Sequence, residues 1–345
     1  MSENQTISEL GESKLIDIIE TLIFEDTHKK LLRDDCFFYS FDDLAEDRKV
    51  RDLEIVLNSD MFVSTTDRPP QMNPFQMGRK SVIMNISDII VKGVEPVNII
   101  ISLGIPGNVK LTDFNELIHG ILNGCNSYDM NYIGGDLNQT QEIVINPIVF
   151  GFSSGKNIIH RHGMNTGDLL VSNGKFGLTG VGFDILLNRK KDIKYTENYE
   201  QSIKSVLEPV IGIEAITLAR ESYATASIDS SDGLARSLRE LMISNPKLGF
   251  ELEINKHIVH QEAIRYSKEY DVSINKLIFD AGEEFNHLFT IPPEDFESAA
   301  EKVSQEGGVL YQIGEVISEP KIYLIEEDRK SIVKNWGYVH FGDHR

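Results

Sequence analysis

The run Val97-Asn98-Ile99-Ile100-Ile101-Ser102-Leu103, closed by Gly104 and Pro106, decides the fold class together with the helical pattern just downstream of it. The run predicts a strand. Phe114, Leu117, Ile118, Ile121, Leu122 and Cys125 then recur at helical spacing. Asp113 with Glu116 resembles a capping box at the start of that helix. Tyr132-Ile133 leads into Gly134-Gly135-Asp136, which reads as a tight turn, and a further strand is expected from Ile143 to Phe152. Upstream, Leu53, Ile55 and Leu57 alternate with Glu54, Val56 and Asn58, which predicts a half-buried strand running into Ser59-Asp60. Val82, Ile83, Ile86, Ile89 and Ile90 predict a helix stopped by Gly93, and Ser13 to Phe24 reads as another. Downstream, Ser153-Ser154-Gly155-Lys156-Asn157 is polar and turn-rich, the expected linker between domains over 1–153 and 154–345. Beyond it Leu169–Ser172, Leu288–Ile291 and Ile322–Ile325 look like strands, and Ala226–Asp229 is a strand feeding a helix with Leu234, Leu238 and Leu241 on one face. Mixed elements in both halves predict an α/β or α+β protein of two domains.

Composition narrows the function. Of 345 residues, 41% are hydrophobic and 26% charged, an ordinary globular balance. The 34 Lys and Arg against 54 Asp and Glu give a net charge of −20, a poor footprint for nucleic acid or an anionic membrane and a good one for divalent cations. Cys36 and Cys125 lie in no CxxC pair, which excludes a disulfide framework, a zinc ribbon and a thioredoxin site. Met1 to Glu12 is polar and acidic rather than signal-like, and apolar runs such as Pro96 to Pro106 are too short to span a bilayer. The expectation is a soluble cytoplasmic protein.

The chemistry concentrates in aspartates at strand ends and in glycine-bounded turns: Asp34-Asp35, Asp60, Asp88, Asp136, and the pair Asp229 and Asp232. Each alone also reads as a turn former, and Asp229-Ser230-Ser231-Asp232 as a helix cap. Together they have a physical logic. Two like charges about 4 Å apart repel by roughly 4 kcal/mol at an effective dielectric of 20, so a fold that gathers them needs cations. An all-oxygen donor set points to Mg²⁺ rather than zinc, and Mg²⁺ usually keeps substrate phosphates in its shell. The known phosphate loops are missing: Gly151 to Asn157 lacks Walker spacing, and Gly174 to Gly182 is no clean GxGxxG. Arg161, between His160 and His162, is a candidate phosphate clamp.

An ordered set of motifs spans nearly the whole chain. It runs Leu57-Asn58-Ser59-Asp60, Asn85-Ile86-Ser87-Asp88 with Gly93 and Pro96, Gly134-Gly135-Asp136, Arg161-His162-Gly163 with Gly167-Asp168, Asp229-Ser230-Ser231-Asp232-Gly233-Leu234, Gly282-Glu283-Glu284-Phe285 with Leu288-Phe289-Thr290, and Trp336 to Gly342. This set resembles the thiamine-monophosphate kinase family, with Asp67 to Met77 similar to its archaeal branch. That family belongs with aminoimidazole ribonucleotide synthetase, selenophosphate synthetase and the hydrogenase-maturation dehydratase. The resemblance implies a two-domain fold of that kind. Its N-terminal domain would bind ATP and Mg²⁺ and close an intersubunit β-barrel in a homodimer, and its C-terminal domain would be α+β. It implies Mg²⁺ ligands Asp35, Ser59, Asp60, Asp88, Asp136, Asp229 and Asp232, and ATP contacts from Gly135, Asp136, Arg161 and Ser231. On the side of thiamine monophosphate it implies Asp67, Glu283, Trp336 and Tyr338. The sequence departs from the family pattern at Arg33, at Leu137, and across Glu284-Phe285-Asn286-His287.

The implied mechanism is direct. The nucleophile is a phosphate oxygen, largely dianionic at neutral pH because its second pKa is near 6, so no general base is needed. Repulsion between two polyanions must be overcome instead, by Mg²⁺ and Arg161, with in-line alignment on the γ-phosphorus and no phospho-enzyme. Three other readings stay open: another ATP-using enzyme of the superfamily, a kinase for a different small phosphate ester, and a catalytically silent nucleotide-binding regulator.

Overall fold

The computed structural model describes residues 37–40, 53–188, 198–253, 257–326, 329–334 and 337–338. The Ser13–Phe24 helix, Asp34, Asp35 and Cys36 lie outside the described residues.

The apolar run Val82–Ile90 belongs to helix α1 (Pro74–Ile90). Asn73 Oδ1 accepts the Gln76 N–H at 2.9 Å, and Gln76 Oε1 accepts the Asn73 N–H at 3.1 Å, a reciprocal cap. Pro74 takes the first helical position, where its missing N–H is not needed. Helix α2 (Leu111–Ser127) packs closely on α1. A Cβ on Gly78 would stand 2.1 Å from the Leu117 carbonyl oxygen, and one on Gly120 would stand 1.9 Å from that of Phe75. The capping box expected from Asp113 and Glu116 does not form. The helix starts earlier, at Leu111, with Lys110 as an N-cap that makes no side-chain bond. Asp113 lies inside the first turn, where its charge faces the positive end of the helix.

These helices cover one face of a six-stranded sheet: β1 (Phe37–Ser40), β2 (Leu53–Asn58), β3 (Phe62–Val63), β4 (Pro96–Ile105), β5 (Asn131–Gln139) and β6 (Val144–Ser154). The order is β1-β2-β6-β4-β5, with β3 also on β6. Gly134-Gly135-Asp136 is not a tight turn. It lies inside β5, parallel to β4, where the register shifts between Ile99 and Ile100. Gly135 serves close approach, since a Cβ there would meet the Ile101 carbonyl oxygen at 1.7 Å; Gly134 has open space around it but takes φ +144°, a conformation that favours glycine. On β2 the fully buried residue is Val56, which joins Ile99, Ile101, Ile145 and Val149 beneath the helices. Leu53, Ile55 and Leu57 lie on the opposite face of the sheet and are part exposed. That outer face is apolar and part exposed, from 36% at Val97 and Ile100 through 37% at Ile148 and 40% at Phe152 to 53% at Ile133.

The second sheet holds β7 (Leu169–Ser172), β8 (Ala226–Asp229), β9 (Gly249–Glu253), β10 (His287–Ile291), β11 (Tyr311–Ile317), β12 (Ile322–Glu326) and β13 (Arg329–Ile332), ordered β13-β12-β9-β11-β7-β10-β8. Among these pairs only β12–β9 is parallel. Helices α3 (Leu178–Phe183) and α4 (Leu234–Ser244) supply part of its core through Val181, Leu234, Leu238 and Leu241. Two mixed layers thus meet at α1. Among the described residues no helix is long and apolar enough to cross a membrane.

Candidate active site

Helix α1 is buried on most of its surface, so its polar side chains must find partners within the protein. Asn85 clamps Asp60 through the backbone: Asn85 Oδ1 accepts the Asp60 N–H at 2.7 Å, and Asn85 Nδ2 donates to the Asp60 carbonyl at 2.8 Å. The Asp60 backbone is thereby fixed at an exposed position just past β2. Asp88 Oδ2 accepts from Asn58 Nδ2 at 2.6 Å, and Ser59 Oγ donates to the Pro147 carbonyl at 2.9 Å. On the opposite flank Ser87 Oγ donates to Asp229 Oδ2 at 2.9 Å and lies 3.4 Å from His287 Nε2. Asp229 and His287 are direct cross-strand partners at the ends of β8 and β10. One turn of α1 therefore joins Asp60 and Asp88 from the first layer to Asp229 from the second.

Past β8 the chain loops through Ser230, Ser231 and Asp232. Ser231 Oγ donates to Asp229 Oδ1 at 3.3 Å. The N-cap of α4 is Gly233, at φ +92°, so Asp232 lies one residue before the capping position. The Asp232 carbonyl accepts the Tyr338 N–H at 2.8 Å, which holds Gly337-Tyr338 here with the Tyr338 side chain part exposed. Trp336 lies outside the described residues. The loop 282–286 closes against the same turn, as Glu283 N–H donates to the Ser231 carbonyl and Phe285 N–H to that of Ser230. Glu283 and Phe285 sit at φ +60° and +50°, conformations that side chains rarely adopt and that cluster at functional sites.

Lys80 of α1, fully buried, reaches Glu283 Oε2 at 2.6 Å and the Asp67 carbonyl at 3.0 Å. Burial raises the Glu283 pKa, against the pull of the neighbouring ammonium. The Asp67 carboxylate accepts the Val63 N–H at 2.6 Å, which closes the turn after β3. Among the residues that depart from the family pattern, Glu284, Asn286 and His287 have structural work. Glu284 takes N–H groups from Gly177, Leu178 and Thr179 at the start of α3, and burial pushes its carboxyl up to about 7 in spite of them. Asn286 Nδ2 donates to the Lys175 carbonyl, and His287 N–H to Asn173 Oδ1. Sequence reading missed Lys80 and the contacts made by Asn85, Ser87 and His287; for the three on α1 the available signal was polar side chains among the apolar residues of one helix.

Other expected residues stand apart. Asp136 is exposed on β5, beside Ser102 of β4. It is three strands from β2, on the order of 14 Å along the sheet at about 4.8 Å per step. Arg161 packs on α4, with Nη1 3.6 Å from Glu240, which also holds Arg236 at 2.9 Å. Among the described residues no three His, Cys, Asp or Glu side chains converge as a metal group. The donors available are nonetheless all hard oxygens, and Ser230 Oγ beside Asp229 is buried without a hydrogen-bond partner. That donor set fits Mg²⁺ and not a softer ion.

The family model described as AIR synthase related protein, N-terminal domain, matches residues 34–156. The thiamine-monophosphate kinase of Nitrosopumilus maritimus is 31% identical over 287 residues, covering 83% of this chain and 89% of that protein. Its counterpart from Pyrococcus horikoshii is 28% identical, covering 98% of this chain and 99% of its own. The solved structure of AaThiL complexed with AMPPCP and TMP has a TM-score of 0.79 to this fold at 24% identity, covering 98% of this chain and 100% of that one.

Proposed function

The chain belongs to the thiamine-monophosphate kinase family, and from that premise we propose that it transfers the γ-phosphoryl group of ATP to thiamine monophosphate, giving thiamine diphosphate and ADP. The observation that carries the reading is the Ser87–Asp229 hydrogen bond, which sets candidate ligands of both layers around one turn of α1. Asp60, Asp88, Asp229 and Asp232, with Asp35, Ser59 and Asp136, would hold Mg²⁺. When bound, Mg²⁺ supplies neutralisation of the phosphate charge.

The residues do the rest by positioning. Gly135 and Asp136 would line the ATP phosphates, and Ser231 and Arg161 would contact the nucleotide. Asp67, Glu283, Trp336 and Tyr338 would face the acceptor. No side chain need remove a proton, since the attacking phosphate oxygen is already ionised. The task is to hold two anions in line and exclude water, so transfer is direct and leaves no phospho-enzyme. We assign the exposed apolar face of the first sheet to a homodimer, since a patch of that kind marks an interaction surface, and the reaction to the cytoplasm.

The test is product analysis with ATP and Mg²⁺. Thiamine monophosphate should yield the diphosphate and free thiamine should not react. Preference for free thiamine would sink the base-free mechanism.

A further inference from the structure

We infer that Lys80 is the positioning residue for the acceptor side of the site: one buried ammonium ties Glu283 and the Asp67 turn to α1 and so fixes where the acceptor's hydrogen-bond donor is received. The inference rests on the kinase reading and adds a residue that belongs to none of the family motifs. Lys80 is 0% exposed, and a buried ammonium is costly unless paired and hydrogen-bonded. Its partners come from two distant segments, Glu283 Oε2 at 2.6 Å and the Asp67 carbonyl at 3.0 Å. The Phe62 and Phe183 rings, 5.9 and 6.0 Å from Nζ, close the apolar side of its pocket.

The pair is asymmetric. Lys80 is sealed while the Glu283 side chain is 24% exposed, so the ion pair opens only on its carboxylate side. Oε2 is spent on Lys80, which leaves Oε1 to accept from a donor on the acceptor molecule. The backbone points the same way. Glu283 is held at φ +60°, and its N–H is bound to the carbonyl of Ser231. A purely structural ion pair needs neither an open edge nor a strained carrier.

The experiment compares wild type with Lys80→Met, Glu283→Gln and the double variant, measuring kcat and both KM values. Melting shifts with thiamine monophosphate alone and with an Mg²⁺–ATP analogue complete the set. Lys80→Met should raise KM for thiamine monophosphate about ten- to a hundredfold, the usual consequence of losing a hydrogen bond between charged groups. KM for ATP should stay within about twofold, the signature of a loss confined to one substrate. The double variant should be no worse than the worse single variant, because Lys80 acts through Glu283. Equal rises in both KM values, or penalties that multiply, would overturn the inference. Should Lys80→Met fail to fold, Glu283→Gln keeps the shape and decides alone: an unchanged KM for thiamine monophosphate rejects the role. A wild-type protein that makes no thiamine diphosphate defeats the kinase reading itself, and this inference with it, before any variant is compared.

Discussion

Ser87 Oγ donates to the Asp229 carboxylate across 2.9 Å, although the two residues are 142 positions apart in the chain. Asp229 is 3% exposed, so its carboxylate depends on such donors. Ser87→Ala should cost about 1–3 kcal/mol in urea unfolding without Mg²⁺, the penalty for leaving a buried acceptor short of a partner. It should also weaken stabilisation by Mg²⁺ with an ATP analogue. An unfolding midpoint equal to wild type would show that the bond contributes nothing.

Asp232 separates a metal role from a capping role. Since Gly233 is the cap of α4 and makes no side-chain bond, Asp232→Asn should leave metal-free stability unchanged or slightly raised. The variant should lose most of the melting shift produced by Mg²⁺ and an ATP analogue, and most of its turnover. Normal Mg²⁺ dependence in an active variant would rule out a ligand at this position.

Glu284 should give folding a pH dependence of definite sign. Its carboxyl titrates near 4.5 when unfolded and is pushed to about 7 by burial when folded. Between those values the folded chain binds the extra proton, so this group's contribution to stability falls as pH rises through the window. Glu284→Gln should flatten that part of the profile. Unfolding free energies at about pH 5 and about pH 8 for both proteins measure it, and parallel profiles would refute it.

The outer face of the first sheet should be covered by a second copy. Ile148 and Ile100 face each other on β6 and β4 with about a third of each exposed. Sedimentation at micromolar concentration should show a dimer for wild type and a monomer for Ile148→Lys. A fully active wild-type monomer would argue against the assignment.

The alternation of strands and helices was legible because period 2 and period 3.6 differ plainly, and the strands at Leu53, Ile143, Ala226 and Leu288 appear where the pattern puts them. The side of β2 that is buried was not, because Val56 and its apolar neighbours all qualify and only the position of α1 and α2 decides. Gly134-Gly135 misled for a related reason. Glycine pairs usually mark turns, yet here Gly135 permits contact with Ile101, a demand set by tertiary packing. The aspartates could be picked out by their motifs, and Asn85 and Ser87 stand in one of them, but their partners could not be read from it. Lys80 could not be picked out at all, since a polar residue on a helix looks solvent-facing until both sides of the helix are known to be covered.

The ties that meet on α1 also bear on how the chain folds. Ser87 to Asp229 closes a loop of 142 residues and Lys80 to Glu283 one of 203. Contacts of such sequence separation form late, because closure entropy must be overcome before they return any energy. Each layer can collapse on contacts of its own, but the site they share on α1 exists only once both have done so. During refolding, helical signal should therefore recover first, and binding of an ATP analogue should return only with the slowest phase.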